Sequence, residues 1–487
     1  MDNNQLKQFD EAIKKIKEKK LQESEKILSK INNSKAYYNA ALTAEKINNL
    51  ELAIKFYDNS IQLNSKYFEA IINKSKVFEK LGKINSAIEC LKDATKIKSD
   101  FHYITYYNLG NLYSKLLDYK KALKFFIKSY KRNKNNLHSL HNIGNILEEI
   151  GKFRFSLKAY NKLINKAKSK NMINNFPKTL LNRSLLLVKS GNYKDGLKDY
   201  EYRWLAPEFK NRKKNFGVET WKKGQNILGK TLLVFNEQGL GDTVYFFGCL
   251  NELIKKDIKV IFLIQDSLKD LFKNIDKKIT VISDEKNLPK FDFSISLLSL
   301  PYYLDIDEKK ISKIRYKLNP KKKLISNWSK IISKKKKNIG ISWKGGIDNT
   351  KKTRSISLKK ISQVFNQNQN LDFYCLHNEY NEQEIKILDK YNNVFYYLGD
   401  KMNFSNTSAL CYNLDLTITI DTSIAHISCV TGVETWILLR KNPAWLFPLN
   451  KKHSLMYPTA KYFRQDKFNC WNDVINKVSF KLKKFIY

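Results

Sequence analysis

The stretch DLTITIDTSIAHISCVTGVETWILL, residues 415–439, contains one complete folding unit. Residues 416–420 alternate aliphatic and threonine side chains, as a strand does. Asp421, Thr422 and Ser423 are short polar residues that suit a turn and a helix cap. Apolar residues then recur at helical spacing over 424–430, Gly432 stops the helix, and 434–439 reads as the next buried strand. Strand, polar turn, helix and strand make a βαβ unit, which aims the amides of the helix start beyond the strand tip, where an anion would be held. His426 falls in the first turn of that helix, with its ring in reach of the same anion.

A second such place lies upstream, where the strand 231–235 runs into the glycine-rich turn EQGLGDT, residues 237–243. Gly239 and Gly241 let backbone approach a ligand or an opposing lobe, and Asp242 stands where it would cap a helix starting at Thr243. Glu237 and Gln238 are candidates for acceptor contact. Further strands at 259–264, 279–282 and 291–297, with a helix near 267–274, make a small parallel α/β lobe. Another strand, 338–343, ends in Lys344, Gly345 and Gly346, a glycine-rich tip with a cation that suits a phosphate. Arg354 and Ser355 precede a helix from Leu358, and the strand 371–376 leads to His377 and Asn378, at a tip where nucleosides lie in such folds.

The first half repeats itself with a period close to the ~34 residues of a tetratricopeptide unit, which it resembles. Asn39, Asn73, Asn108, Asn142 and Asn182 share one position. Turn residues follow at Asn48-Asn49, Gly82, Asp118, Gly151 and Gly191. The small residue at which two helices meet is Ala53, Ala87, Ala122, Ser156 or Gly196, and four residues on stand Tyr57, Leu91, Phe126, Tyr160 and Tyr200. Five repeats follow from this spacing, with residues 6–30 as a degenerate pair that caps the stack. Most of these residues serve the repeat core, and the groove of such an array holds a peptide or partner protein.

The chain has 487 residues, with 89 lysines and arginines against 47 acids, a formal charge of +42. Lysine is spread along every segment together with Asn, Ile, Phe and Tyr, so the charge reads as composition, and nucleic acid is not the expected partner. No apolar run reaches the ~18 residues of a membrane span. The polar, helical start is unlike a secretion signal, which makes the cytoplasm the expected compartment. Six cysteines form no CxxC pair and six histidines no HExxH pair, so no metal site is expected. Asp305 and Asp307 have the spacing of a DxD metal pair but fall in a polar linker.

DTSIAH at 421–426, with its glycine-ended helix and following strand, resembles the diphosphate-binding segment of the heptosyltransferase-like glycosyltransferases, family nine, of the GT-B fold. A glycine more often stands there in place of Ser423. EQGLGDT is similar to the catalytic turn of the same family. Trp221, Gly224, Leu228 to Lys230, LLSLP at 297–301, MYP at 456–458 and YFRQ at 462–465 extend the likeness to bacterial proteins that carry tetratricopeptide repeats ahead of such a domain. The resemblance implies an α + α/β chain. A tetratricopeptide α-solenoid (1–205) and a connector (206–229) would precede a GT-B-like domain of two lobes, acceptor-side (230–325) and donor-side (326–487). It implies a metal-independent, inverting transferase whose co-substrate is a nucleotide-diphosphate sugar, without a cofactor. Asp242 would be the general base and Glu237, Gln238, Gly239 and Gly241 would line the acceptor side. Asp421, Thr422, Ser423, His426, Lys344 and Arg354 would surround the donor diphosphate, with His377 and Asn378 at the nucleoside. The repeats would recruit a protein or peptide acceptor or a partner, with surface-glycan or lipid-linked acceptors equally open. A repeat scaffold with an inactive transferase domain stays open as the alternative.

Overall fold

The computed structural model describes all residues except 1, 98, 274, 346–353, 450, 486 and 487; Gly346 therefore lies outside the described residues. The chain divides into two compact units, Met1–Lys170 and Asn171–Tyr487.

The first unit is a run of helices packed in successive pairs. Asn3–Lys17 and Leu21–Ile31 form the atypical first pair. Ser34–Lys46 with Leu50–Leu63, Phe68–Lys80 with Ile84–Ala94, His102–Lys115 with Tyr119–Arg132, and Leu137–Glu149 with Phe153–Lys168 follow at the repeat period. The repeated small and aromatic residues are its core: Ala53, Ala87, Ala122, Tyr57 and Tyr160 have no exposed surface. The reason for the small residues is contact distance. A Cβ added at Gly110 would lie 2.6 Å from the Phe126 ring, and one at Gly144 would lie 2.3 Å from the Tyr160 ring. Ser156 Oγ also donates to the Gly144 carbonyl at 2.8 Å, tying the two helices at the same level.

The second unit begins with the helices Pro177–Lys189 and Tyr193–Tyr200, the fifth pair of the spacing, with Pro177 in the first turn where its missing N–H costs nothing. Two 3₁₀ turns, Glu201–Leu205 and Pro207–Arg212, lead on to two parallel sheets. The first has strands β1 (Thr231–Phe235), β2 (Lys259–Leu263), β3 (Ile279–Ile282) and β4 (Phe293–Ser296), in the order β3-β2-β1-β4. The second has β5 (Lys337–Ser342), β6 (Leu371–Cys375), β7 (Val394–Phe395), β8 (Leu416–Ile420), β9 (Thr435–Leu439) and β10 (Ala460–Arg464), in the order β10-β9-β8-β5-β6-β7. Every strand pairing in both sheets is parallel.

Helices cover both faces of a parallel sheet, so its central strands are buried throughout. The alternation at 416–420 is therefore not an inside-outside pattern: Thr417 and Thr419 of β8 are as buried as Leu416, Ile418 and Ile420. In each sheet the chain reverses its direction of winding once, between β1 and β4 and between β8 and β5. Such a reversal opens a crevice beyond the strand tips, because the two connections leave in opposite directions. The turn 236–242 follows β1, and residues 421–423 follow β8, so both decisive turns sit at these crevices. One apolar cluster joins the lobes, running from Tyr193, Leu197 and Tyr200 through Leu232 and Val244 to Ala425, Phe447 and Tyr457. No helix among the described residues is long and apolar enough to cross a membrane.

An alanine inside a helix ordinarily outranks glycine by about 1 kcal/mol. At Gly144 the contact with Tyr160 reverses that sign, and Gly144→Ala should cost about 1–3 kcal/mol through overpacking. Thermal unfolding followed by circular dichroism should show a lowered transition for Gly144→Ala and recovery in Gly144→Ala/Tyr160→Leu.

Candidate functional site

The two turns meet. Helix Leu240–Phe246 packs on helix Ser423–Thr431 across the gap between the lobes. A Cβ at Gly241 would stand 2.9 Å from His426 Cδ2 and 3.5 Å from Ser423 Cα. Asp242 is the next residue, so the acidic turn packs against the start of helix Ser423–Thr431, while Asp242 itself does not line the cavity beside that helix start.

Asp242 does not cap its helix as the spacing suggested. Gly239 is the N-cap, the helix starts one turn earlier at Leu240, and Asp242 occupies the third helical position. From there its Oδ2 reaches back to accept from the Gly239 amide at 3.2 Å, while Oδ1 accepts from Trp445 Nε1 of the other lobe at 3.1 Å. The residue as a whole is half-buried. Burial of the carboxyl among its neighbours pushes its pKa up to about 6, against the pull of the Trp445 and Gly239 donors.

Thr422 is the N-cap of the second helix, with extended backbone and no side-chain capping bond. The amides of Ser423 and Ile424 donate to no acceptor among the described residues, and the Thr422 hydroxyl is buried without a partner. Gly345 lies against Thr422 and the Arg354 guanidinium, which brings the tips of β5 and β8 together. Arg354 Nη1 donates to the Asp421 carbonyl at 3.1 Å. Asp421 itself is turned inward: its carboxyl accepts from the Ala444 amide at 3.3 Å and lies 3.8 Å from Arg354 Nε. Burial raises it to about 6 despite Arg354 and Arg440, so Asp421 orients Arg354 and does not face an anion.

A cavity of about 800 Å³ opens beside this helix start. Lys344, Gly345, His377, Asn378, Thr422 and Ser423 all line it, and Ser267 reaches it from the first lobe. Lys344 pairs with Glu384 at 2.6 Å and lies over the Tyr380 ring. His377 Nε2 accepts from the Trp343 amide at 3.1 Å, which assigns the proton to Nδ1; burial, with Lys344 nearby, holds the ring neutral, its pKa lowered to about 3.

His426 and Glu237 are placed otherwise than expected. The His426 ring is 4 % exposed, bonds Tyr457 Oη through Nδ1 at 3.0 Å, and packs among Tyr245, Phe447 and Gly241. Burial lowers its pKa to about 3, so it fills the seam between the lobes as a neutral ring and does not line the cavity. Glu237 is buried with both oxygens on Arg203, at 2.8 Å from Nε and 3.2 Å from Nη2, and is not free for an acceptor. Gln238 donates to Tyr200 Oη at 2.9 Å, and its carbonyl accepts from Gln265. Three residues that the sequence did not connect with this turn thus hold it: Tyr200, read only as a repeat aromatic, Arg203 and Trp445. A signal existed for Arg203, an arginine inside the aromatic run 200–204 of a chain whose cations are mostly lysine. Nothing local marks Trp445.

Three consecutive segments, 34–67, 68–101 and 103–136, match the family model of the tetratricopeptide repeat. Among curated proteins, the chain is 22% identical over 332 residues to Protein FlbA of Caulobacter vibrioides, covering 62% of this chain and 54% of that protein. It is 24% identical over 257 residues to TPR repeat-containing protein MJ1428 of Methanocaldococcus jannaschii, covering 46% and 43% respectively. The chain spans about half the length of these curated relatives. Among solved structures it is similar to YrrB, described as a TPR protein with an unusual peptide-binding site, at 19% identity and a TM-score of 0.31 over 38% of this chain and 92% of that one. It is also similar to a glycosyl transferase family 9 structure from Veillonella parvula, at 11% identity and a TM-score of 0.41 over 54% of this chain and 98% of that one. The N-terminal run of helices carries tetratricopeptide repeats, and a region of parallel sheets and helices follows it.

Proposed function

We propose that the second unit is a two-lobed, GT-B-type glycosyltransferase that moves a sugar from a nucleotide-diphosphate donor to an acceptor hydroxyl. The observation that carries this reading is the packing of the Asp242 turn against the helix start at Ser423, beside the cavity that this helix start lines. A donor diphosphate at that helix start would meet the Ser423 and Ile424 amides, the Thr422 hydroxyl, and the Lys344 and Arg354 cations. These neutralise the charge that develops on the leaving group. The nucleoside would extend past His377 and Asn378 into the cavity. Asp242, on the far side of the donor sugar, would take the acceptor proton as the hydroxyl attacks, giving inversion. A carboxyl with a pKa near 6 is a stronger base than an ordinary aspartate while still ionised at neutral pH. The repeats would present a protein or peptide acceptor.

Asp242→Asn should leave donor binding intact while turnover falls by roughly 10²- to 10⁴-fold. Unchanged turnover would remove Asp242 from the chemistry. In the wild type, turnover should rise with pH along an acid limb with its midpoint near 6. The same shift has a stability consequence. The native carboxyl holds its proton to higher pH than the unfolded one, whose ordinary value is 3.8, so stability declines as pH climbs from about 4 through 6. Asp421 acts in the same direction. Asp242→Asn removes its own share, and calorimetric melting should show the variant gaining on the wild type between pH 4 and pH 7.

Ser423→Pro tests the amide grip. Thr422 is extended and Ser423 is the first helical residue, so proline fits the backbone and deletes one donor. Titration calorimetry should show nucleoside-diphosphate affinity reduced by roughly ten- to a hundredfold, the worth of one hydrogen bond to a charged group. Full affinity in a normally melting variant would place the anion elsewhere.

A further inference from the structure

Resting on the transferase reading above, we infer that the last helical pair of the repeat spacing is a working part of the site. Arg203 and Tyr200 are positioning residues that hold the Asp242 turn, Arg203 through Glu237 and Tyr200 through Gln238 and Trp445.

The turn between β1 and Asp242 contains Gly239 and Gly241, whose backbone alone selects no single conformation. Its geometry is imposed by side chains from residues 200–203 and by Trp445. Arg203 is fully buried, and each of its three nitrogens finds acceptors, Nη2 reaching Ser296 Oγ at 3.4 Å besides those that follow. Nε bonds Glu237, Nη1 bonds Glu201 at 2.7 Å and the Tyr200 carbonyl at 3.1 Å, and Nη2 bonds Glu237 and Ser299 Oγ at 2.8 Å. Its planar fork fixes both oxygens of Glu237, five residues before Asp242. One position on, Gln238 is tied to Tyr200 Oη. Tyr200 then reaches Asp242 by a second route: its ring stacks on Trp445, with centroids 5.1 Å apart and planes 14° apart, and the Trp445 indole donates to Asp242 Oδ1.

A buried ion pair of this kind contributes little net stability compared with apolar side chains of the same volume, whereas it fixes direction strongly. Tyr200 occupies the aromatic position that Tyr57, Phe126 and Tyr160 hold in earlier repeats, where the rings fill the repeat core and the Tyr57 and Tyr160 hydroxyls bond to Glu45 and Asn145 of their own repeats. In the fifth pair the same position is spent on the transferase turn. On this reading, residues 177–205 belong to the enzyme as much as to the array.

The test is made on the full chain. Tyr200→Leu removes the hydroxyl beneath Gln238 and the ring beneath Trp445. Arg203 and Glu237 are replaced together by Met, because Arg203→Met alone strands a buried carboxylate and unfolding would mask the result. With a turned-over nucleotide sugar, kcat should fall roughly ten- to a hundredfold in both variants, the cost of a displaced catalytic group. Donor KM should change by less than about twofold. In Tyr200→Leu the midpoint of the acid limb should move up, because the carboxylate loses a donor that favours its charged form. Tyr200→Phe, which keeps the stack, should recover the wild-type midpoint. A second readout needs no turnover: the indole N–H resonance of Trp445 in ¹⁵N-tryptophan-labelled protein, assigned with Trp445→Phe, should titrate with Asp242 in the wild type and at higher pH in Tyr200→Leu. If the wild type transfers no sugar but that midpoint still shifts, the positioning holds and the transferase reading fails. Folded variants with wild-type kcat, or a Trp445 resonance whose midpoint Tyr200→Leu leaves in place, overturn the inference.

Discussion

The second unit depends on one close approach, the contact of Gly241 with the first turn of helix Ser423–Thr431. Only a hydrogen fits there, since any Cβ would stand 2.9 Å from the His426 ring. The contact is made by the backbone of one turn on a buried ring of the other, which leaves no room for a side chain between them. His426 contributes as a packed, neutral surface: burial strips its charge, and Tyr457 takes its Nδ1. A protonated imidazole in this seam would need a partner that the surrounding aromatic rings do not offer.

Around that contact the unit concentrates groups that are costly to bury. Asp242 and Asp421 both have their proton affinity raised by burial, and Arg203 lies in the interior with two carboxylates. Burial pulls against the Arg203 charge, yet Glu237 and Glu201 hold it protonated. These arrangements lower stability at neutral pH compared with apolar replacements, and they are tolerated because a continuous apolar cluster extends through both lobes around them. The expense falls on residues next to the two turns rather than being spread through the core.

The repeat unit obeys a simpler rule. Most pairs bury one aromatic ring against one small residue, with Leu91 in that place in the second repeat, and at Gly110 and Gly144 the ring leaves no room for a Cβ. At Gly110 and Gly144 the ring nearly touches the Cα, and Ala41 and Ser75 hold the equivalent place in earlier pairs. Period and residue size together suffice to specify this kind of stacking, since each repeat packs only on its neighbours.

For that reason the array was readable from residues alone, down to its atypical first pair. So were the two decisive turns, because glycine-rich strand ends and helix starts are local chemistry: short polar residues, a missing Cβ and an apolar period. Boundaries at 231–235 and Leu358 agree with the strand and helix found there, and the Asp242 cap was displaced by only one helical turn. Which turn faces which was not local. The strand orders that put both turns at crevices, the inward rotation of Asp421, the diversion of Glu237 to Arg203 and the burial of His426 all depend on partners tens to hundreds of residues away. Trp445 and Asp242 are 203 residues apart in the chain, and no periodicity or spacing encodes their hydrogen bond. The sequence by itself determined the elements and the chemistry available at their ends; only packing of the two sheets decided which of those groups point into the crevice and which are consumed in holding it together.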